Sequence, residues 1–215
     1  MSARENILAR IRSANSGRLA AASDPDAVST RLRERLRGPL PTMNWDPREH
    51  FKSRSIAAAS TVDEVESRAE IPQAIGRYLK ENSLPVQAVC WPELGDLDWE
   101  TAGLNVSARP AQGDDKVGIT GSYCALAETG TLMLLSGEQR HATTSLLPET
   151  HVAIVSASRI VTTMEDGWDL LRKEVGELPR QVAFVSGPSR TADIEMTLVY
   201  GAHGPFRVHV IIVDE

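Results

Sequence analysis

The sequence predicts an α/β protein with three layers, α/β/α, around a mostly parallel sheet and with a helical arm at its N-terminus. Three observations carry this. Four short apolar runs, TLMLLS (131–136), HVAIVS (151–156), QVAFVS (181–186) and VHVIIV (208–213), read as buried strands. Helix-length segments separate several of these runs, which is what parallel pairing requires. The 215-residue chain is 41% hydrophobic and 24% charged, enough apolar material for a core without disulfides or metal.

Taken in order, Ser2 and Glu5 have capping-box spacing, and Ile7, Leu8 and Ile11 follow at helical intervals. Asp24-Pro25 marks a second helix start, with Val28, Leu32 and Leu36 as its apolar face and Gly38-Pro39 as its stop. Residues 1–40 therefore read as a helical arm and residues 41–215 as the α/β domain. Residues 41–60, with Pro41, Trp45 and Pro47, read as irregular. Thr61 and Glu64 repeat the capping-box spacing and predict a helix carrying Val62, Val65, Ile75 and Leu79, kinked or divided at Pro72. VQAVCW (86–91) is then the first expected strand, and LNVSA (104–108) a short one in a stretch rich in Gly, Pro and Asp. VGIT (117–120) leads into GSYCALAETGTLMLLSG (121–137), and residues 164–175 predict a helix ahead of QVAFVSG.

Charge and cysteine usage narrow the function classes. The net charge is −6, yet residues 1–40 hold eight arginines against four acids. RLRERLRG (31–38) lacks the aromatic interleaving of a nucleic-acid surface and sits on an acidic chain, so a solvated helix face, or docking to an acidic partner, explains it better. No apolar run approaches the ~20 residues of a membrane helix, and the start has no continuous apolar segment of the secretory kind. A cytoplasmic protein with no nucleic-acid or membrane partner is expected. Cys90 and Cys124 are too few and too far apart for a zinc or iron–sulfur site, and free, buried thiols are expected. No two of the five histidines have helix-spaced metal-ligand geometry, so no metal is expected on this chain.

Two polar constellations stand out between apolar runs. GPSRTADIE (187–195) follows QVAFVS, and ligands of α/β sheets gather beyond strand carboxyl ends. There Gly187 permits close backbone approach, Ser189 and Thr191 can cap a helix or donate to an anion, and Arg190 can hold a carboxylate or phosphate. Asp193 and Glu195 can orient Arg190 or face the helix dipole. The same residues also fit a helix cap with an internal Arg–Asp pair. In AETGT (127–131), Glu128 beside Thr129 and Thr131 is either a tuned nucleophile or base, or an acceptor for a neighbouring loop's backbone. RHATTSLLPETH (140–151) offers Arg140, His141, Thr144, Ser145 and Pro148 in a loop. GAHGP (201–205) places His203 in a tight turn, where a packing role competes with a chemical one. Walker, G-x-G-x-x-G and G-x-S-x-G fingerprints are missing from the sequence.

AETGTLML, SLLPETHVAIV, GPSRTADIE and GAHGP, in this order, resemble the LUD-domain family of lactate-utilisation proteins, most closely its small, cluster-free members. The resemblance is densest over residues 117–213. It implies a fold similar to the ribose-phosphate isomerase and coenzyme-A transferase type. It also implies a non-redox subunit or accessory factor in oxidising L-lactate to pyruvate, beside partner proteins that carry the iron–sulfur clusters. By resemblance, the motif positions Glu128, Thr129, Thr131, Ser189 to Glu195 and His203 would form the site for a small anionic metabolite. The transferase-like alternative is a free-standing acyl or coenzyme-A transferase with Glu128 as nucleophile. A homodimer is plausible on general grounds.

Overall fold

The computed structural model describes residues 3–22, 25–34, 37–192 and 197–214. The chain divides into two compact units, Met1–Met43 and Asn44–Glu215. The first contains α1 (Ala3–Ala22) and α2 (Pro25–Glu34), the latter opened by Pro25 as its sequence implies. The reading of Leu36 in the α2 face lies outside the described residues.

In the second unit Asp46 accepts a hydrogen bond from the Glu49 N–H and caps α3 (Pro47–Ala57), so part of the stretch expected to be irregular is helical. The segment expected to open a long helix at Thr61 is instead β1 (Thr61–Val65). It pairs in parallel with the last strand, β12 (Arg207–Val213), from Thr61 opposite His209 to Val65 opposite Val213. Thr, Val and Val suit a pleated surface, and pairing with a buried strand outweighs a local capping signal. Pro72 does not divide a helix but stands in the first turn of α4 (Ile71–Glu81), where its missing N–H has no intrahelical partner to lose.

The expected strand at 86–91 is β2 (Gln87–Cys90), second in the chain; β3 (Asn105–Ala108), β4 (Val117–Gly121) and β7 (Thr150–Ser156), which follows the short helix α5 (Thr143–Leu146), complete the main sheet. Its order is β1-β12-β7-β4-β2-β3, and every pairing is parallel. On one face lie Ile71, Ile75 and Leu79 of α4 against Ile119, Val152 and Ile211. On the other, Phe51 of α3 packs with Val155, Val210 and Ile212. Helices thus cover both sides of a mostly parallel α/β fold.

TLMLL and VAFV are strands, but they belong to a second sheet. β5 (Cys124–Leu126), β6 (Thr131–Leu135), β8 (Ile160–Val161) and β9 (Val182–Val185) run in the order β8-β5-β6-β9. The β5–β6 and β6–β9 pairings are antiparallel. Leu132 and Leu134 face the main sheet's cluster. Met133 and Leu135 face outward, where Leu171 of α6 (Met164–Glu174) covers them. With both faces covered, β6 is buried throughout and loses the apolar–polar alternation of a half-exposed antiparallel strand.

Candidate functional site

AETGT is the turn between β5 and β6. Gly130 takes a left-handed φ of 67°, and a Cβ there would come within 2.5 Å of the Ser55 backbone nitrogen. Ser55 in turn donates from Oγ to the Gly130 carbonyl at 3.3 Å. The turn is therefore seated on the C-terminal half of α3. Thr129 and Thr131 share a hydroxyl hydrogen bond of 2.8 Å, and Thr131 continues to Ser186 Oγ at 2.5 Å.

Ser186 ends the β9 segment and leads into GPSRT. Gly187 has φ of 74°, and a Cβ there would lie 2.1 Å from the Ala58 carbonyl oxygen. Its small size thus admits protein backbone at the end of α3. The residues that follow form a hairpin, β10 (Arg190–Thr191) with β11 (Val199–Tyr200), rather than the start of a helix. The expected helix-capping role of Ser189 and Thr191 does not arise, because no helix begins among the described residues 187–192 and 197–198. Ser189 instead ties GPSR to GAHGP. Its N–H donates to Pro205 O, its carbonyl accepts from the Gly201 N–H, and its Oγ accepts from the His203 N–H at 3.3 Å. Arg190 and the His203 side chain are exposed. Asp193 and Glu195 lie outside the described residues.

Glu128 accepts a 2.8 Å hydrogen bond at Oε1 from the Met164 N–H, the first residue of α6, while its own N–H donates to Thr162 O. This is the loop-acceptor alternative of the sequence reading, and it places a carboxylate at the positive end of a helix. Thr163 and Asp166 complete the same helix start as a capping box. Glu128→Ala should lower stability by about 1 kcal/mol, and Glu128→Gln, which keeps an acceptor, by less. Urea unfolding of both variants checks this, and equal losses would contradict it.

A second polar region lies where the topology reverses. β2 leads to β3 on one side and β4 to β7 on the other, so a crevice opens outside the carboxyl ends of neighbouring β2 and β4. A cleft of about 290 Å³ opens there, lined by Trp91 and Glu93 after β2, Ser122 and Tyr123 after β4, Arg159 after β7, and Arg140. Arg140 Nε donates to Glu93 Oε2 at 3.0 Å. Arg159 grips Glu174 with both terminal nitrogens at 2.8 Å, donates from Nε to Tyr123 O, and lies 4.6 Å over the Tyr123 ring. Arg159 and the Tyr123 hydroxyl hold the Glu174 carboxyl down to about 2. Burial, and then Glu174, push the phenol up to about 12, so Tyr123 stays a donor near neutral pH. Ser122 Oγ is buried with no hydrogen-bond partner among the described residues.

Sequence reasoning singled out only Arg140 of these cleft residues. The available signal was the rule of strand carboxyl ends applied to VQAVC-W and VGITG-SY rather than to QVAFVS, whose strand belongs to the other sheet. The two thiols do not suit metal or cluster ligation. Cys90 and Cys124 are free, sit in different sheets, and burial pushes each up to about 11.

The parallel sheet, its switch-point crevice and the seated Thr-Gly-Thr turn define a mostly parallel α/β domain with a crevice at its strand ends. Residues 48–213 match the family model of the LUD domain, and the protein belongs to that family. Similar curated proteins are Lactate utilization protein C of Bacillus licheniformis (37% identical over 131 residues, 58% of this chain and 54% of that protein) and of Shouchella clausii (41% over 119 residues; 54% and 52%). Lactate utilization protein C 1 of Bacillus mycoides is 48% identical over 102 residues, 46% of this chain and 44% of that one. The chain spans about half the length of the curated relatives it matches. A crystal structure of a DUF162 family protein from Deinococcus radiodurans superposes with a TM-score of 0.59 at 26% identity, over 80% of this chain and 99% of that one.

Proposed function

We propose that this chain is a non-redox subunit or accessory factor in the oxidation of L-lactate to pyruvate. It would work with partner proteins that carry the iron–sulfur clusters and would bind a small anionic metabolite. The observation that supports this most is the convergence in space of the motifs that carry the family resemblance, in a chain similar to proteins named for lactate utilisation. AETGT, GPSR and GAHGP, separated by up to 70 residues, are joined by hydroxyl and backbone contacts through Thr131, Ser186 and Ser189. Arg190, on the exposed edge of this assembly, is its candidate for contact with an anionic group.

Cells deleted for the chain and restored with an Arg190→Ala or a Thr131→Val copy test the motif assembly. Both variants should restore L-lactate consumption less than wild type at equal protein level. Full restoration by both removes the motifs from the function.

The second reading, an acyl or coenzyme-A transferase with Glu128 as nucleophile, draws on the partial exposure of Glu128 in a turn. Its engagement with the Met164 N–H favours the structural role. A hydroxylamine-sensitive adduct formed from an acyl-CoA donor by wild type, but not by Glu128→Gln, would establish the transferase.

A further inference from the structure

We propose that the cleft outside the carboxyl ends of β2, β4 and β7 binds a small hydroxy acid, its carboxylate on Arg140 and Arg159 and its hydroxyl on Glu93. The cleft offers two guanidinium groups, Arg140 and Arg159, to a carboxylate. Arg159 cannot swing away, because Glu174 holds it bidentately and the Tyr123 ring lies beneath it. Arg140 is turned into the cleft by Glu93.

Ser122 is the observation that asks for a ligand. A buried hydroxyl with no partner among the described residues carries a desolvation penalty, and such groups are rare in folded proteins. Other atoms of Ser122 line this cleft, and its hydroxyl would meet a ligand oxygen once the side chain turns outward.

Glu93 decides the ligand's second group. A carboxylate can only accept, so beside two arginines it discriminates against a ligand that is purely anionic and favours one that also donates. The chain makes room for it. A Cβ on Gly121 would come within 2.9 Å of Glu93 Oε1. Trp91 and Leu135 supply an apolar wall for a short carbon skeleton. A carboxylate for the arginines, a hydroxyl for Glu93 and Ser122, and a carbon chain for Trp91 together describe a hydroxy acid. The site is distinct from the hairpin that carries Arg190.

The assignment rests on the lactate-utilisation reading only for the choice of first probe. Binding is measured on the purified full chain and the cellular role in cells, so either can fail alone. L-lactate and L-malate are titrated by tryptophan fluorescence, against propionate and succinate as counterparts without the hydroxyl and against inorganic phosphate. Trp91→Phe identifies the reporting ring. At least one hydroxy acid should bind about tenfold more tightly than its counterpart and than phosphate. Arg140→Ala should weaken that binding at least tenfold.

Ser122→Ala separates ligand contact from folding. It should leave the free protein as stable as wild type or more so, since it removes an unpartnered hydroxyl, and still weaken the hydroxy acid several-fold. Equal binding of all the acids and phosphate overturns the inference. So does absence of binding at millimolar concentration. Loss of binding in Arg190→Ala but not in Arg140→Ala also overturns it and moves the ligand to the hairpin.

Discussion

A Gly187→Ala chain should unfold about 2–5 kcal/mol more easily than wild type. Two effects add. A left-handed φ of 74° costs an alanine about 1–2 kcal/mol. The new Cβ would also stand 2.1 Å from the Ala58 carbonyl oxygen, far inside contact distance, and overpacking of this kind costs about 1–3 kcal/mol. Ala58 cannot readily retreat. Its N–H is bonded to the carbonyls of Arg54 and Ser55 at the end of α3, and α3 is anchored by the fully buried Phe51. The GPSR turn must shift instead, and with it the hydroxyl contact between Ser186 and Thr131. Gly176 is the internal standard. It has the same φ of 74° and no atom within 4 Å of an added Cβ, so Gly176→Ala should show the backbone effect alone. Urea unfolding of the pair isolates the clash, and equal losses would mean that α3 and the turn yield without penalty.

Acid should weaken the fold well before the ordinary carboxylates protonate. Burial drives both His151 and His209 down to about 4 from the usual 6.5. For His209, Asp63 opposes the shift and Arg77 reinforces it. His151 meets the Thr120 hydroxyl at 2.8 Å, and His209 meets Thr61 at 2.8 Å while stacking on Tyr78 at 3.8 Å. The sign follows from the lowered folded values. Below 6.5 the unfolded chain binds protons that the folded chain refuses, so stability is complete above 6.5 and falls as pH drops toward 4. Each group contributes a slope approaching 1.4 kcal/mol per pH unit in that window. Between pH 7 and pH 5 the wild type should therefore lose roughly 2 kcal/mol for each histidine. His151→Asn should show a shallower pH dependence. Parallel curves for variant and wild type would show that His151 does not titrate as its burial requires.

The parallel strands were legible because buried strands are written as continuous apolar runs, and the helix expected over 164–175 is α6. β1 was misread for a physical reason. Thr61 and Glu64 carry a local capping signal, while the partner that makes this segment a strand, β12, lies almost 150 residues away. The second sheet was hidden for a related cause. Once α6 covers its outer face, TLMLL is as apolar as any parallel strand. Within the candidate site, Gly187 was rightly marked for close approach, but the approaching atom is a helix-end carbonyl, which no periodicity announces. The cleft is built from Trp91, Glu93, Ser122, Tyr123, Arg140 and Arg159, single residues after separate strands or in loops. Only the strand order brings them together, and that order is not a local property of the sequence.

The lactate-utilisation account is tested most directly by deleting the chain from its host and measuring growth on L-lactate and on pyruvate as sole carbon sources. The account expects loss of growth on L-lactate, normal growth on pyruvate, and recovery on L-lactate when the wild-type chain is restored. Undiminished consumption of L-lactate by the deleted cells would contradict it.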